Sequence, residues 1–240
     1  MIFSLHSIKQ ISVVILILTV FFSKTSLSQR KGGGIGFFSA GYQMIDIKRL
    51  NEKLRINGFP EYENRFAAMG GGGYGVVRNL VLGGEGYGLV VSDKSNQNYY
   101  TSLTAGYGLF NVGYVAYSKQ GLTVFPVLGF GGGGIDLTIT KDGLGSFDDV
   151  MSNPKTGSTL SVGGLMFNIG LNAVYNMNFS QNESNSSGFV IGASLGYTHF
   201  LQLGNWTVFD REVSNGPSVG ISGLYFKIMI GGGAIISGEN

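Results

Sequence analysis

Residues 164–179 read GLMFNIGLNAVYNMNF, and this stretch alternates strictly between two kinds of position. Every odd-numbered residue is apolar, whereas the even-numbered residues include Gly164, Gly170 and four asparagines. A period of two residues predicts an extended strand with one apolar face and one face of polar or small residues. The stretch is 16 residues long, whereas an ordinary strand has about five or six. Its length and its alternation together favour a membrane-spanning β-strand.

The amino-terminal residues have the pattern of a secretory signal peptide. Lys9 precedes an apolar run over residues 11–22, and Ser26-Leu27-Ser28 places small residues where a signal peptidase reads them. We therefore predict a signal peptide over residues 1–28, cleaved before Gln29, and a barrel domain over residues 29–240. The alternative is an uncleaved anchor, but a spanning helix needs about 20 apolar residues and this run is shorter.

The composition argues against several classes of protein. The chain of 240 residues has 41 glycines and only 14 acidic residues, which is unusual for a water-soluble core. Residues 1–28 hold two of the 16 basic residues and no acidic residue, so the rest is neutral and gives no reason to expect a nucleic-acid partner. The chain has no cysteine, which excludes disulfides, thiolate metal sites and a lipid-modified cysteine.

Turn signals divide the chain after the signal peptide into alternating short and long connections. Residues 78–79 and 119–121 have the composition of tight turns, whereas residues 46–65 and 141–158 form long connections. The predicted strands between the turns are 33–45, 66–77, 80–93, 100–118, 122–140, 159–179, 187–204 and 217–236. Because only closure pairs every strand edge in lipid, we predict an all-β fold, a closed antiparallel up-and-down transmembrane β-barrel of eight strands. Both chain termini of the barrel domain should lie in the periplasm.

One irregularity leaves ten strands as the alternative. In residues 100–118 the apolar residues are odd-numbered up to Leu109 but even-numbered from Phe110 to Tyr114. Such a switch predicts a β-bulge or a hidden turn near Phe110-Asn111, and a turn would raise the strand count. A similar switch occurs at Gly223. Eight strands suit a chain of this length better.

Several glycine-rich motifs resemble those of a known family. The segments are NGFP at 57–60, GGGGYG at 70–75, LGGEG at 82–86 and PVLGFGG at 126–132. In this order they resemble the small outer-membrane β-barrel proteins of the Bacteroidota type (outer-membrane-protein-X/PorT-like). The resemblance implies an eight-stranded outer-membrane barrel, mostly without an assigned activity. It also implies the barrel-assembly machinery as a partner, which would read a signal within residues 225–230 because the chain ends in IISGEN.

Two charges fall near the middles of predicted strands. A charge facing hydrocarbon at the bilayer midplane is unfavourable, by about 2–4 kcal/mol for lysine, so Glu85 and Lys227 should both point into the lumen. There they could pair with each other or with nearby tyrosines and asparagines. The predicted polar network of the lumen comprises Glu85, Lys227, Asn168, Asn172 and Asn176. Its favoured role is a hydrogen-bonded plug, because eight strands enclose a space that side chains can fill, and the alternative is a narrow selective pathway.

The first long loop has the pattern of a short helix. Asp46 is a suitable N-cap, Ile47, Leu50 and Leu54 form an apolar stripe, and residues 57–60 should stop the helix. The other faces carry a basic set, namely Lys48, Arg49, Lys53 and Arg55. Lipopolysaccharide phosphates are candidate partners for this basic face. The favoured interpretation of this segment is a solvated helix that packs its stripe over the barrel mouth.

The rest of the sequence offers little for catalysis. After the signal peptide the only histidine is His199, on the parity that faces lipid, and no zinc cluster is recognisable. We therefore expect a monomeric outer-membrane barrel without a cofactor, non-enzymatic, with a structural or surface-binding role and an unknown surface ligand. The alternatives are a small porin-like channel, a lipid-modifying outer-membrane enzyme that uses His199, and a soluble secreted β-sandwich.

Overall fold

The computed structural model describes residues 31–96, 98–141, 146–152, 157–177 and 188–237. The predicted signal peptide and its cleavage site, and the predicted connection over residues 180–186, lie outside these ranges.

The described residues form eleven strands and two short helices. In chain order they are β1 (Lys31–Met44), α1 (Lys48–Ile56), β2 (Arg65–Val77), β3 (Leu80–Val90), β4 (Lys94–Ser95), β5 (Tyr99–Tyr114), β6 (Tyr117–Lys119), β7 (Leu122–Lys141), α2 (Phe147–Ser152), β8 (Gly157–Met177), β9 (Gly188–Val208), β10 (Arg211–Val213) and β11 (Gly223–Ser237). Across these ranges no helix has the length and hydropathy needed to cross a membrane.

Eight long strands close into a ring, which confirms the predicted fold class and strand count. β1, β2, β3, β5, β7, β8, β9 and β11 each pair antiparallel with the next in this order, and β11 pairs with β1. The tight turns were also predicted correctly: Arg78 and Asn79 have φ of 52° and 72°, and Gln120 and Gly121 have 52° and 82°. Left-handed residues at both central positions give the turn whose twist matches that of the flanking strands.

The expected bulge or turn near Phe110-Asn111 is wrong. β5 keeps one unbroken register with β3 and with β7, and its odd-numbered residues face inward along its length. Leu103, Tyr107 and Leu109 are apolar and yet fill the lumen. The parity of apolar residues therefore changes because the loop half of the lumen is itself apolar. The hidden turn that would have given ten strands is therefore absent from β5.

At the second parity switch, at Gly223, the last strand is shorter than predicted. β11 begins at Gly223 rather than at residue 217. The residues before it belong to the loop, where Gly220 forms an isolated bridge with Asp46. β9 is longer than predicted, and its register with β8 shifts between Ser161 and Gly163. Trp206 keeps the inward parity of Phe200 across this bulge and lies in the barrel mouth, where it is 1% exposed.

The outer wall is apolar, as the alternation over residues 164–179 predicts. On β8 the large apolar residues that are exposed are Leu165, Phe167, Ile169, Leu171, Tyr175 and Met177. The strand carries no charged residue. From Leu165 to Met177, at about 3.3 Å per residue and a tilt of about 40°, this row rises about 30 Å, which matches the thickness of the hydrocarbon core.

Two apolar clusters fill the ends of the lumen. The larger one lies toward the long loops and includes Leu54, Phe66, Leu103 and Phe200, while the smaller one lies toward the tight turns and includes Phe37, Tyr74, Phe125 and Val174. A belt of buried polar side chains separates the two clusters. Its members are Ser39, Gln43, Glu85, Asn111, Asn168, Asn172, Ser194, Thr198 and Lys227.

Candidate functional site

Lys227 occupies the centre of the polar belt. It lies on the inward face of β11 and is 1% exposed. Its ammonium group donates a hydrogen bond of 2.8 Å to the hydroxyl of Tyr107. The same nitrogen lies 3.3 Å from the ring centre of Tyr87 and 4.2 Å from that of Tyr225. Ring faces attract cations, so the tyrosines around the belt provide partners for a charge that is held away from water.

Glu85 lies across the belt on β3, and two tyrosines donate to it. The hydroxyls of Tyr74 and Tyr87 are 3.1 Å and 3.2 Å from its Oε2 atom. Within the described residues, Glu85 and Lys227 are not within ion-pair distance of each other. Tyr87 lies between the two charges, with its ring face toward the ammonium and its hydroxyl toward the carboxylate. The pairing that the sequence suggested is therefore indirect.

The three asparagines of β8 have separate environments. Asn168 and Asn172 are buried in the belt, whereas Asn176 is only half-buried near the turn end. Residues that are four positions apart on a strand are separated by about 13 Å, so successive asparagines of β8 do not touch. The amide of Asn168 approaches the Oδ1 of Asn111 at 3.5 Å, and the side chain of Asn172 has no hydrogen-bond partner among the described residues.

Glycines lie opposite the large side chains in and around the belt and leave room for them. The hydroxyl of Tyr225 lies over Gly170 and Gly196, where an added Cβ would come within 2.3 Å and 2.5 Å of that oxygen. Gly41 pairs directly with Lys227 across β1 and β11, and Gly133 pairs with Tyr107. A narrow barrel can hold so many aromatic rings only if the neighbouring inward positions are empty.

A chain of hydrogen bonds connects the belt with the loop end. Tyr107 donates to Gln43 at 2.7 Å, Gln43 donates to Thr198 at 2.8 Å, and Thr198 donates to the carbonyl of Ile221 at 2.8 Å. Sequence reasoning missed Tyr107, Gln43 and Thr198. Their inward parity was available as a signal, but pairing across the lumen depends on the stagger of the strands, which the sequence does not give. Above this chain, Trp206 donates to the carbonyl of Pro217 at 2.7 Å and closes the mouth.

The helix in the first long loop forms over Lys48–Ile56. Ile47, Leu50 and Leu54 are all buried, as predicted from the apolar stripe. The predicted N-cap at Asp46 is wrong, because Ile47 occupies the cap position and makes no side-chain capping bond. The backbone of Asp46 is instead held by Gly220, through bonds of 2.8 Å and 3.0 Å.

The end of α1 agrees with the prediction. Gly58 adopts a φ of +76°, and the N–H of Phe59 reaches the carbonyl of Leu54 at 2.9 Å. Below the helix, the side-chain amide of Asn51 donates a hydrogen bond to the carbonyl of Tyr62 and accepts one from the N–H of the same residue. The Tyr62 hydroxyl donates to Thr101 at 2.8 Å, and burial raises the pKa of this tyrosine. These contacts fix the helix over the barrel mouth.

The predicted basic face is exposed, but its members differ in their contacts. Lys48, Arg49, Lys53 and Arg55 all have exposed side chains. Arg49 donates to the Ser218 hydroxyl at 2.6 Å, and Arg55 lies 3.7 Å from Glu61. The four cations therefore do not form one uniform surface.

His199 faces outward, on the parity that the sequence predicted. Its cross-strand neighbour on β8 is Phe167, and it makes no hydrogen bond within the described residues. Over the same residues, no three histidine, aspartate or glutamate side chains lie together where they could hold a metal ion.

A groove of about 600 Å³ opens on the outer wall at the loop end. It lies where β1 and β11 separate beyond the Gln43–Tyr225 pair. Its lining includes Met44, Asp46, Lys48, Asn64, Tyr197 and Leu224. The groove therefore combines lipid-facing side chains of the wall with polar side chains at the start of α1.

Comparisons with protein-family models and with curated proteins give no match. Among solved structures, the chain is similar to Ail, the attachment invasion locus protein of Yersinia pestis, at 12% identity and a TM-score of 0.42, covering 87% of this chain and 99% of Ail. A second structure of Ail, in complex with the heparin analogue sucrose octasulfate, gives 14% identity and a TM-score of 0.38 over 87% and 99% of the two chains. The outer membrane protease OmpT from Escherichia coli gives 11% identity and a TM-score of 0.26 over 88% and 98%.

Proposed function

We propose that this chain is an integral outer-membrane barrel with a structural or surface-binding role and without enzymatic activity. The observation that carries the proposal is the filled lumen. Side chains that are less than 2% exposed occur from Phe125 near the tight turns, through Lys227 in the belt, to Trp206 at the loop end. Such an interior leaves the loops and the rim as the surfaces that can meet a partner.

The apolar wall supports the membrane location. A closed barrel with an apolar band about 30 Å high is the strand-based solution to crossing a bilayer. The proposed export through a cleaved signal peptide and assembly by the barrel-assembly machinery would place the long loops outside the cell. The motif resemblance to Bacteroidota-type barrels agrees with this proposal, and a monomer is the proposed state.

A porin-like channel is the competing function, and conductance separates the two. Protein refolded in detergent should migrate faster on gels without boiling than after boiling, which reports a closed barrel. The same preparation in a planar bilayer should then give no steady ion conductance. Regular conductance steps from the faster-migrating species would refute the filled-lumen role and favour the channel.

The absence of enzymatic activity needs its own assay. Refolded protein should leave labelled phospholipid and labelled lipid A chemically intact over hours of incubation. Turnover that disappears in His199→Ala would overturn this part of the proposal, because it would show that the outward histidine has a reacting partner.

A further inference from the structure

The rim groove has an apolar lip that continues the outer wall. Met44, Tyr197 and Leu224 are 40%, 41% and 61% exposed, and all three lie on outward-facing positions of β1, β9 and β11. Leu224 is the top of an outward row on β11 that continues through Phe226, Ile228 and Ile230. A molecule seated on this lip would therefore contact the hydrocarbon edge of the membrane.

The opposite lip is polar and carries both signs of charge. Lys48 and Asp46 line the groove with exposed side chains, together with the exposed Asn64. The Lys48 backbone N–H lies 3.4 Å from the Asp46 Oδ1, so the two residues are fixed side by side at the start of α1. Lys48 makes no ion pair among the described residues, unlike Arg55.

From this two-sided lining we propose that the rim groove binds a phosphorylated glycolipid of the outer leaflet. An acyl chain would lie on Met44, Tyr197 and Leu224, a phosphate would meet the ammonium of Lys48, and sugar hydroxyls would donate to Asp46. The carboxylate argues against a simple phosphate-bearing anion, which it would repel, whereas a sugar supplies the hydroxyl donors that it can accept. The inference rests on the proposed outer-membrane location, with the loops facing outward.

The groove involves only one of the four basic residues of α1, namely Lys48. Lys53 is also exposed and lies on the same helix, but it does not line the groove. Leu201 is 49% exposed on the outward face of β9, and it also lies outside the groove lining. These two residues provide matched controls for the charged and the apolar halves of the proposed site.

The test is native mass spectrometry of refolded, heat-modifiable protein in maltoside micelles, titrated with diphosphoryl lipid A. We expect a one-to-one complex. Lys48→Gln should weaken binding about tenfold, since it removes one charge-assisted contact, and Leu224→Ser should weaken it about tenfold through lost apolar contact. Lys53→Gln and Leu201→Ser should stay within about twofold of the parent, as expected for side chains outside the contact.

Each other result would overturn the inference. Equal losses in Lys48→Gln and Lys53→Gln would indicate diffuse attraction to the basic face, and an unchanged Leu224→Ser would remove the acyl contact. Phosphatidylglycerol binding as tightly as lipid A would exclude the glycolipid class, and displacement by inorganic phosphate would indicate a free-anion site. A heat-modifiable barrel that binds no lipid A would refute the groove but leave the proposed function intact, whereas protein without heat-modifiable mobility would refute the proposed function itself.

Discussion

Replacing Lys227 by methionine tests whether the charged belt stabilises the barrel. Methionine has a similar length but removes the ammonium group. The hydrogen bond to Tyr107, at 2.8 Å, is charge-assisted, and such bonds contribute about 1.5–3 kcal/mol. The ring contacts of Tyr87 and Tyr225, at 3.3 Å and 4.2 Å, add about 2 kcal/mol when a cation is desolvated.

Two effects oppose this loss. Methionine packs well in an apolar interior, and the folded barrel no longer has to hold a dehydrated ammonium. Glu85 is nevertheless left buried without a nearby cation, and breaking one side of a buried charged arrangement costs about 3–5 kcal/mol. We therefore expect Lys227→Met to lower the free energy of unfolding by about 3 kcal/mol.

The assay is urea unfolding in detergent micelles, with heat-modifiable gel mobility as the measure of folded protein. Lys119→Met is the control, because Lys119 is exposed at a tight turn, where substitutions change stability by about 0.5 kcal/mol or less. The double variant Lys227→Met with Glu85→Gln should be more stable than Lys227→Met alone, because both charges are then gone. Ion conductance should not change in any of these variants.

A Lys227→Met protein as stable as the parent would refute the reasoning. So would a double variant whose loss equals the sum of the two single losses, because additive effects would mean that the two charges are not coupled through Tyr87.

Three further predictions concern the fit of the lumen and the order of the loops. Gly196→Val should abolish or strongly reduce refolding because its Cβ would come within 2.5 Å of the Tyr225 hydroxyl, whereas Gly36→Val, at an outward position with no atom within 4 Å, should refold normally on the same gels. Gly58→Ala should destabilise the end of α1 by about 1–2 kcal/mol because φ is +76° there, seen as faster trypsin cleavage after Lys53 and Arg55 in the folded barrel. Hydroxyls of Ser102 and Tyr100 donate to Asp93 and hold the pKa of its carboxyl below its ordinary value. The stabilisation is therefore present above the unfolded pKa and lost as the pH falls through the folded one. Amide protection in residues 91–96, measured relative to intrinsic exchange at the same pH, should therefore fall on acidification in the parent protein and show no such pH step in Asp93→Asn.

The outer wall and the turns of this barrel could be predicted from the sequence, because each depends on local chemistry. The alternation around Ile169 records which side of the strand meets lipid, and Arg78-Asn79 occupy two left-handed positions between adjacent strands. The closed ring then follows from the need to pair every edge.

The interior was harder to predict, because its contacts join residues far apart in the chain. Leu109 looked lipid-facing by its chemistry, but it fills an apolar layer inside the barrel. Lys227 and Glu85 both lie on inward faces of their strands, and the tyrosines that separate them come from strands whose stagger only the structure gives. Asp46 was misread as a cap because its bridge to Gly220 is a long-range contact.

The measurement that most directly tests the central claim is a single-cysteine scan along β8. The chain has no natural cysteine, so a spin label at each position from 163 to 177 reports one site in the refolded protein in lipid bilayers. Labels at odd-numbered positions such as 167, 169 and 171 should be mobile and accessible to oxygen dissolved in the lipid, whereas labels at even-numbered positions such as 168, 170 and 172 should be immobile and shielded from both oxygen and water-soluble reagents. Loss of the two-residue alternation, or free access of a water-soluble reagent to the even-numbered positions, would contradict a lipid-facing barrel with a filled lumen.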